Sequence, residues 1–122
     1  LRRLITEQQF DICFIYRKLL ANAAAETYIP VENIRGPILL ISAAQDAIWP
    51  SEFSGRKIME RLDAHRFPHA HRHLVYEKAS HLLVPFSLAE AKAFQVERKY
   101  PRECEESRLA AYEKTLTFLQ NW

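Results

Sequence analysis

The chain has 122 residues, 48% of them apolar and 26% charged, with a net charge of +2. That length suits one modest domain over residues 1–122 with a core of its own. The small, scattered charge gives no basis for nucleic-acid binding, and no apolar run approaches the ~20 residues that span a bilayer. Cys13 and Cys104 stand far apart and make no disulfide framework, so a cytoplasmic, reducing compartment is expected. Arg2 and Arg3 are followed by no uninterrupted apolar stretch or small-residue cleavage site, and no signal peptide is expected.

Thr6 to Gln9 reads as a capping box opening a helix. Ile12, Ile15, Tyr16 and Leu19 follow at i, i+3, i+4 and i+7, and Phe10, Phe14 and Leu20 widen that face. The pattern predicts a helix to about Ala24, buried on its apolar side. Pro30 and the turn Arg35 to Pro37 bracket an extended linker from Ile29 to Ile34. Pro37 to Ser42 is apolar without polar alternation, which suits a strand covered on both faces.

Ser51 is placed to cap a helix running to His65, with Phe53, Ile58, Met59 and Leu62 inward and Pro68 closing it. His73 to Tyr76 is a second strand. Strand, helix, strand at this spacing implies a parallel pair with a right-handed crossover. Ser87 to Val96 is a further helical candidate. Glu105 to Trp122 is a terminal helix with a stripe of Leu109, Tyr112, Leu116 and Leu119. The expected class is therefore α/β: two parallel strands with a crossover helix, flanked by N- and C-terminal helices.

Two residues stand out because each sits just past the carboxyl end of a strand. Asp46 follows the first and His81 the second. In open α/β sheets that edge is where ligands bind and catalytic residues collect. A carboxylate there can orient an imidazole, which takes a proton from a nucleophile and returns it to the leaving group. The plainer readings are an aspartate that starts a turn and a loop histidine held by a backbone carbonyl. Strand, acid, helix, strand, histidine is nonetheless the order in which an α/β-hydrolase delivers the last two members of its triad. The first member needs G-x-S-x-G, or a Cys equivalent, on a sharp turn. The two glycines here, Gly36 and Gly55, sit in no such turn. Asp46 and His81 read as the acid and base of a triad whose nucleophile is absent from this chain.

The other reactive residue types read as structural. His65, His69, His71 and His73 cluster, but no cysteine or carboxylate stands at ligand spacing, and a solvated basic turn is the expectation rather than a metal site. Cys13 lies in an apolar helix as a buried thiol. Cys104 is flanked by Glu103, Glu105 and Glu106, which disfavour a thiolate. Ser54 is mid-helix and Ser80 belongs to the histidine loop. No cofactor is expected.

Residues Ile29 to Ile34, the strand Pro37 to Ser42, Asp46 to Glu52 and Glu60 to His65 resemble the C-terminal part of the acyl-CoA thioester hydrolase family, which includes the bile acid-CoA:amino acid N-acyltransferases. Tyr76 to His81 with Leu82 and Pro85, and the terminal helix with Ala111 to Lys114 and Phe118, fit the same pattern. The resemblance implies the C-terminal portion of an α/β-hydrolase fold with a Ser or Cys nucleophile, Asp46 as acid and His81 as base. It implies a fatty acyl-CoA thioester as substrate, with water or an amino acid as acceptor. Family members carry a β-sandwich and the nucleophile upstream, so the 122-residue chain alone is expected to be inactive. The family tends to have glycine where this chain has Ala43, and around Lys78 to Ser80. An alternative is a non-catalytic module that forms a homodimer through the exposed edge of the strand Ile38 to Ile41. An esterase of the dienelactone-hydrolase type is a third reading, opposed by the Ile29 to Glu32 and Asp46 to Ser51 segments.

Overall fold

The computed structural model describes residues 11–86 and 89–122. The two apolar runs form β1 (Ile38–Ala43) and β2 (His71–Tyr76). They pair in parallel, from Ile38 opposite His71 to Ala43 opposite Tyr76. The helix between them, here α2 (Ser51–Ala64), packs on both strands. α1 (Cys13–Ala21) precedes the pair, with short 3-10 turns at Ala25–Thr27 and Val31–Asn33 between. After β2 come a 3-10 turn at Ala89–Ala93, α3 (Gln95–Lys99) and α4 (Pro101–Gln120). The chain is an α/β structure, as its sequence pattern predicts.

The crossover is closed at both ends by local chemistry. Ser51 does not cap α2 with its side chain; its hydroxyl donates to the Ala43 carbonyl at 3.3 Å, tying the helix start to the end of β1. At the other end Arg66 takes a left-handed conformation, φ 50°. The Phe67 and Arg66 amides then reach the Leu62 and Asp63 carbonyls at 2.9 and 3.0 Å, a Schellman closure. Gly55 faces β2 so closely that a Cβ there would lie 2.4 Å from His73 Nε2. The linker ahead of β1 is anchored by Glu32, whose carboxylate is gripped by Arg61 through Nε and Nη2, the latter at 2.6 Å. That guanidinium holds the Glu32 carboxyl down to about 2.

The core lies beneath the carboxyl ends of the strands. Ala47, Phe94, Val96 and Cys104 form it, with Ile48, Leu82 and Tyr100 packed against them. Ala47 and Ile48 follow Asp46, and Leu82 follows His81, so the loops carrying the candidate residues are themselves core segments.

Several expectations require correction. The apolar run of β1 predicts cover on both faces, but only Ser42 and Ala43 are buried, and Ile38 to Ile41 are half-buried. In α1 only Cys13 is buried, while Phe14, Ile15 and Leu19 are 62%, 45% and 61% exposed. The Thr6 to Gln9 box lies outside the described residues, as do Ser87 and Leu88. The predicted inward residue Phe53 is exposed, whereas Leu62 is fully buried. The linker Ile29 to Ile34 contains a 3-10 turn rather than running extended.

The largest departure is α4. Its Leu109, Tyr112, Leu116 and Leu119 stripe points outward, and Cys104, Arg108 and Ala111 are buried instead. Small residues at 104 and 111 let the helix axis approach the core closely, which the bulkier stripe would prevent.

Candidate active site

The loop after β1 turns on Asp46. Its Oδ1 accepts the Ile48 and Trp49 amides at 3.0 and 2.8 Å, and its own amide donates to the Ala43 carbonyl at 3.3 Å. This is an Asx-type turn of the kind aspartate favours, so the turn-forming reading of Asp46 describes the backbone correctly. The same carboxylate also faces the next loop. His81 Nδ1 lies 3.1 Å from both Asp46 oxygens. The Asp46 side chain is 6% exposed and the His81 side chain 39% exposed.

That geometry assigns the proton. A carboxylate accepting from Nδ1 places hydrogen on that nitrogen, which leaves Nε2 of a neutral ring with its lone pair. Among the described residues Nε2 of His81 has no hydrogen-bond partner. The imidazole is thus held at one nitrogen and open at the other, the arrangement general-base chemistry requires.

The two loops are also joined through backbone. The Ala44 amide donates to the Tyr76 carbonyl at 3.0 Å, and Gln45 Nε2 donates to the Glu77 carbonyl at 3.1 Å. α1 is tied in as well, since the Ile12 and Cys13 amides both donate to the Ala47 carbonyl, at 2.8 and 3.0 Å. Neither Ala43 nor Lys78 to Ser80 needs the left-handed backbone that glycine serves, because Arg66 is the one non-glycine residue with positive φ among those described. Ala43 and Lys78 to Ser80 therefore fit the loops unstrained. A cavity of about 320 Å³ opens beside Asp46, lined by Phe14, Arg17, Gln45 and Phe94 among others.

Two further histidines are engaged elsewhere. His71 Nδ1 contacts the His69 carbonyl and Nε2 contacts Asp63 Oδ1, both at 2.9 Å. Two acceptors favour the doubly protonated ring and raise its pKa, the carbonyl contributing most. His73 Nε2 lies 2.9 Å from Ser42 Oγ, whose own proton goes to the Ser51 carbonyl at 3.0 Å. His73 is therefore the donor, and burial lowers its pKa. No group of three His, Cys, Asp or Glu able to hold a metal occurs among the described residues.

Both thiols are buried. Cys104 Sγ lies 3.6 Å from the Val96 carbonyl, and burial, with Glu97 next, pushes its pKa up to about 11. Ser80, passed over in the sequence as ordinary loop chemistry, is 1% exposed and donates to Glu97 Oε1 at 2.7 Å. Glu97 Oε2 in turn receives Arg108 Nη1 at 2.7 Å. The signal that could have revealed this pair is weak: one acid and one base on adjacent helices, each in line with small or apolar neighbours.

A family model described as BAAT / acyl-CoA thioester hydrolase C terminal matches residues 3–121. No curated protein and no solved structure matches the chain.

Proposed function

The chain belongs to the BAAT / acyl-CoA thioester hydrolase C-terminal family, an α/β-hydrolase-type domain, and we propose on that footing that it supplies the acid and base of an acyl-CoA thioester hydrolase. The observation that carries this reading is the Asp46–His81 contact, with Nδ1 held and Nε2 open. A Ser or Cys nucleophile comes from a preceding segment of the same protein. His81 Nε2 takes its proton as the nucleophile attacks the thioester carbonyl, and Asp46 stabilises the resulting imidazolium. Collapse of the tetrahedral intermediate expels the CoA thiolate, which receives that proton, and leaves an acyl-enzyme. His81 then deprotonates water, which attacks the acyl group, and the proton returns to the nucleophile as the fatty acid leaves. An amino acid in place of water would give N-acyl transfer from the same machinery. The setting proposed is cytoplasmic, in keeping with two unpaired cysteines; no helix among the described residues is long and apolar enough to cross a membrane.

The test is release of free CoA from palmitoyl-CoA, in a hydrolase that joins these residues to their nucleophile. His81→Gln lowers kcat by ~10⁶-fold there, as loss of the base does in serine-protease triads, and the 122-residue chain alone gives no hydrolysis above buffer. Full turnover in the His81→Gln enzyme would remove the reading. Adding glycine and measuring N-acylglycine separates transfer from hydrolysis.

A second reading is favoured by one observation. The sheet has two strands, so among the described residues β1 has an unpaired edge, and apolar residues of α1 lie exposed beside the cavity. An open edge invites strand addition by a second copy. Light scattering on the 122-residue chain at micromolar concentration reports a dimer under this reading, and a clean monomer would count against it.

A further inference from the structure

His81 stands between two residues that are fixed from below. Ser80 Oγ donates to Glu97 Oε1 at 2.7 Å and accepts the Leu82 amide at 3.1 Å, so one hydroxyl spans the His81 peptide on both sides. Leu82 itself packs on the core. Glu97 on α3 is locked by Arg108 on α4 at 2.7 Å, their side chains 6% and 10% exposed. Two residues before Ser80, the Lys78 carbonyl accepts from Ser107 Oγ at 3.0 Å, and the Lys78 ammonium lies 4.2 Å from the Tyr100 ring centroid. The base loop is thereby pinned from the C-terminal helices at two points, while Asp46 holds it from the side.

A buried ion pair is weak support for stability, since well-packed apolar residues in its place are often no less stable. What this pair does in addition is orient a carboxylate toward the residue just before the base. A carboxylate fixed at one oxygen by a guanidinium presents the other in a set direction, which a mobile acid would not. We propose that Ser80, Glu97 and Arg108 are positioning residues, a buried relay that fixes the His81 backbone so that Nδ1 rests on both oxygens of Asp46. This rests on the reading of His81 as the base. None of the three meets substrate in that scheme; each acts through His81.

The experiment reads the His81 ring in the 122-residue chain by long-range ¹H–¹⁵N correlation, following the Nδ1–H tautomer and its exchange with water. In the unaltered chain His81 is mainly the Nδ1–H tautomer with a slowly exchanging proton. Ser80→Ala leaves the amide spectrum folded but speeds Nδ1–H exchange about tenfold, the loss expected for one hydrogen bond, and mixes the tautomers. Should that variant not fold, Glu97→Gln with Arg108→Met removes both charges together, and the same loosening is expected. Leu62→Ala, in the core near the sheet, is the control: it lowers the melting temperature and leaves the His81 signals in place. Unchanged His81 signals in Ser80→Ala or in the double variant, or an equal change in Leu62→Ala, overturns the proposal. The outcome is separate from the thioesterase assay. Loosened His81 with no His81-dependent hydrolysis would leave the positioning intact and remove the enzymatic reading; His81-dependent hydrolysis with His81 unmoved by Ser80→Ala would do the reverse.

Discussion

Two histidines of this chain stand against aspartates, and the two pairs are built in opposite ways. At Asp46 and His81 the acid is the buried member, and the imidazole reaches solvent. At Asp63 and His71 the acid is 71% exposed and the imidazole is sheltered. The first ring is held at one nitrogen; the second is held at both, by Asp63 and the His69 carbonyl. A histidine–aspartate contact is therefore no proton-transfer device by itself. What matters is which partner is clamped and whether a ring nitrogen is left over. His71 serves as a strap between α2 and β2, while His81 has the open position the proposed chemistry needs.

Substitutions can break that contrast. The largest expected effect is on turnover of the joined hydrolase. Asp46→Asn lowers kcat by up to ~10⁴-fold, as loss of the orienting acid does in serine-protease triads, and Asp63→Asn leaves it within about twofold. Free-CoA release measures both, and equal losses would erase the distinction between the pairs.

Next comes the support beneath the first pair. Arg108→Ala leaves Glu97 buried and unpaired and costs ~3–5 kcal/mol in urea denaturation. Arg102→Ala, which breaks only the exposed pair with Glu106, costs ~0–1 kcal/mol. Comparable losses from the two would mean that the buried pair is not anchored as described.

A smaller effect falls on the strand that carries His71 and leads to His81. Gly55→Ala drives a methyl into the His73 ring. Overpacking of that kind costs ~1–3 kcal/mol, offset by ~1 kcal/mol of gained helix propensity, so a net loss of up to ~2 kcal/mol is expected. Combining it with His73→Ala relieves the clash, and a double-mutant cycle shows favourable coupling; strict additivity would contradict the close approach.

The smallest effect sharpens the second pair through pH. The pKa of His71 is raised above its ordinary 6.5 by the His69 carbonyl and then Asp63. Its contribution is fully present below pH 6.5 and fades as pH rises through the raised value. The pKa of His73 is lowered by burial, so its contribution runs the other way, present above pH 6.5 and lost as pH falls through the lowered value. Melting curves between pH 5 and 8 check this (about the span where histidine titrates). His71→Gln should narrow its gap to the parent chain as pH rises, and a gap that widens would be the wrong sign.

The Asp46–His81 contact was legible because position along the chain carries the information. Asp46 and His81 each trail an apolar run, and parallel pairing brings the ends of both runs to one edge. The relay beneath them was not legible. Glu97 and Arg108 look like ordinary surface residues of charged helices, and only tertiary packing turns them inward. The terminal helix misled for a related reason. It carries two stripes, Cys104, Arg108 and Ala111 against Leu109, Tyr112, Leu116 and Leu119, and hydrophobic periodicity selects the greasier one. Helix-to-core distance selected the smaller. Hydropathy likewise predicts burial for Phe14, Ile15 and Leu19 in α1, where partners in the described structure are too few to provide it.

The thiol of Cys104 has a use that follows from where it lies. It is wholly enclosed at the junction of α3 and α4, with a pKa near 11, one helical turn before Arg108 of the ion pair. In that state it cannot meet an alkylating reagent. Its labelling rate in the folded protein therefore clocks how often the C-terminal helices breathe away from the loops they hold, a built-in stopwatch for excursions too rare for an averaged structure to register.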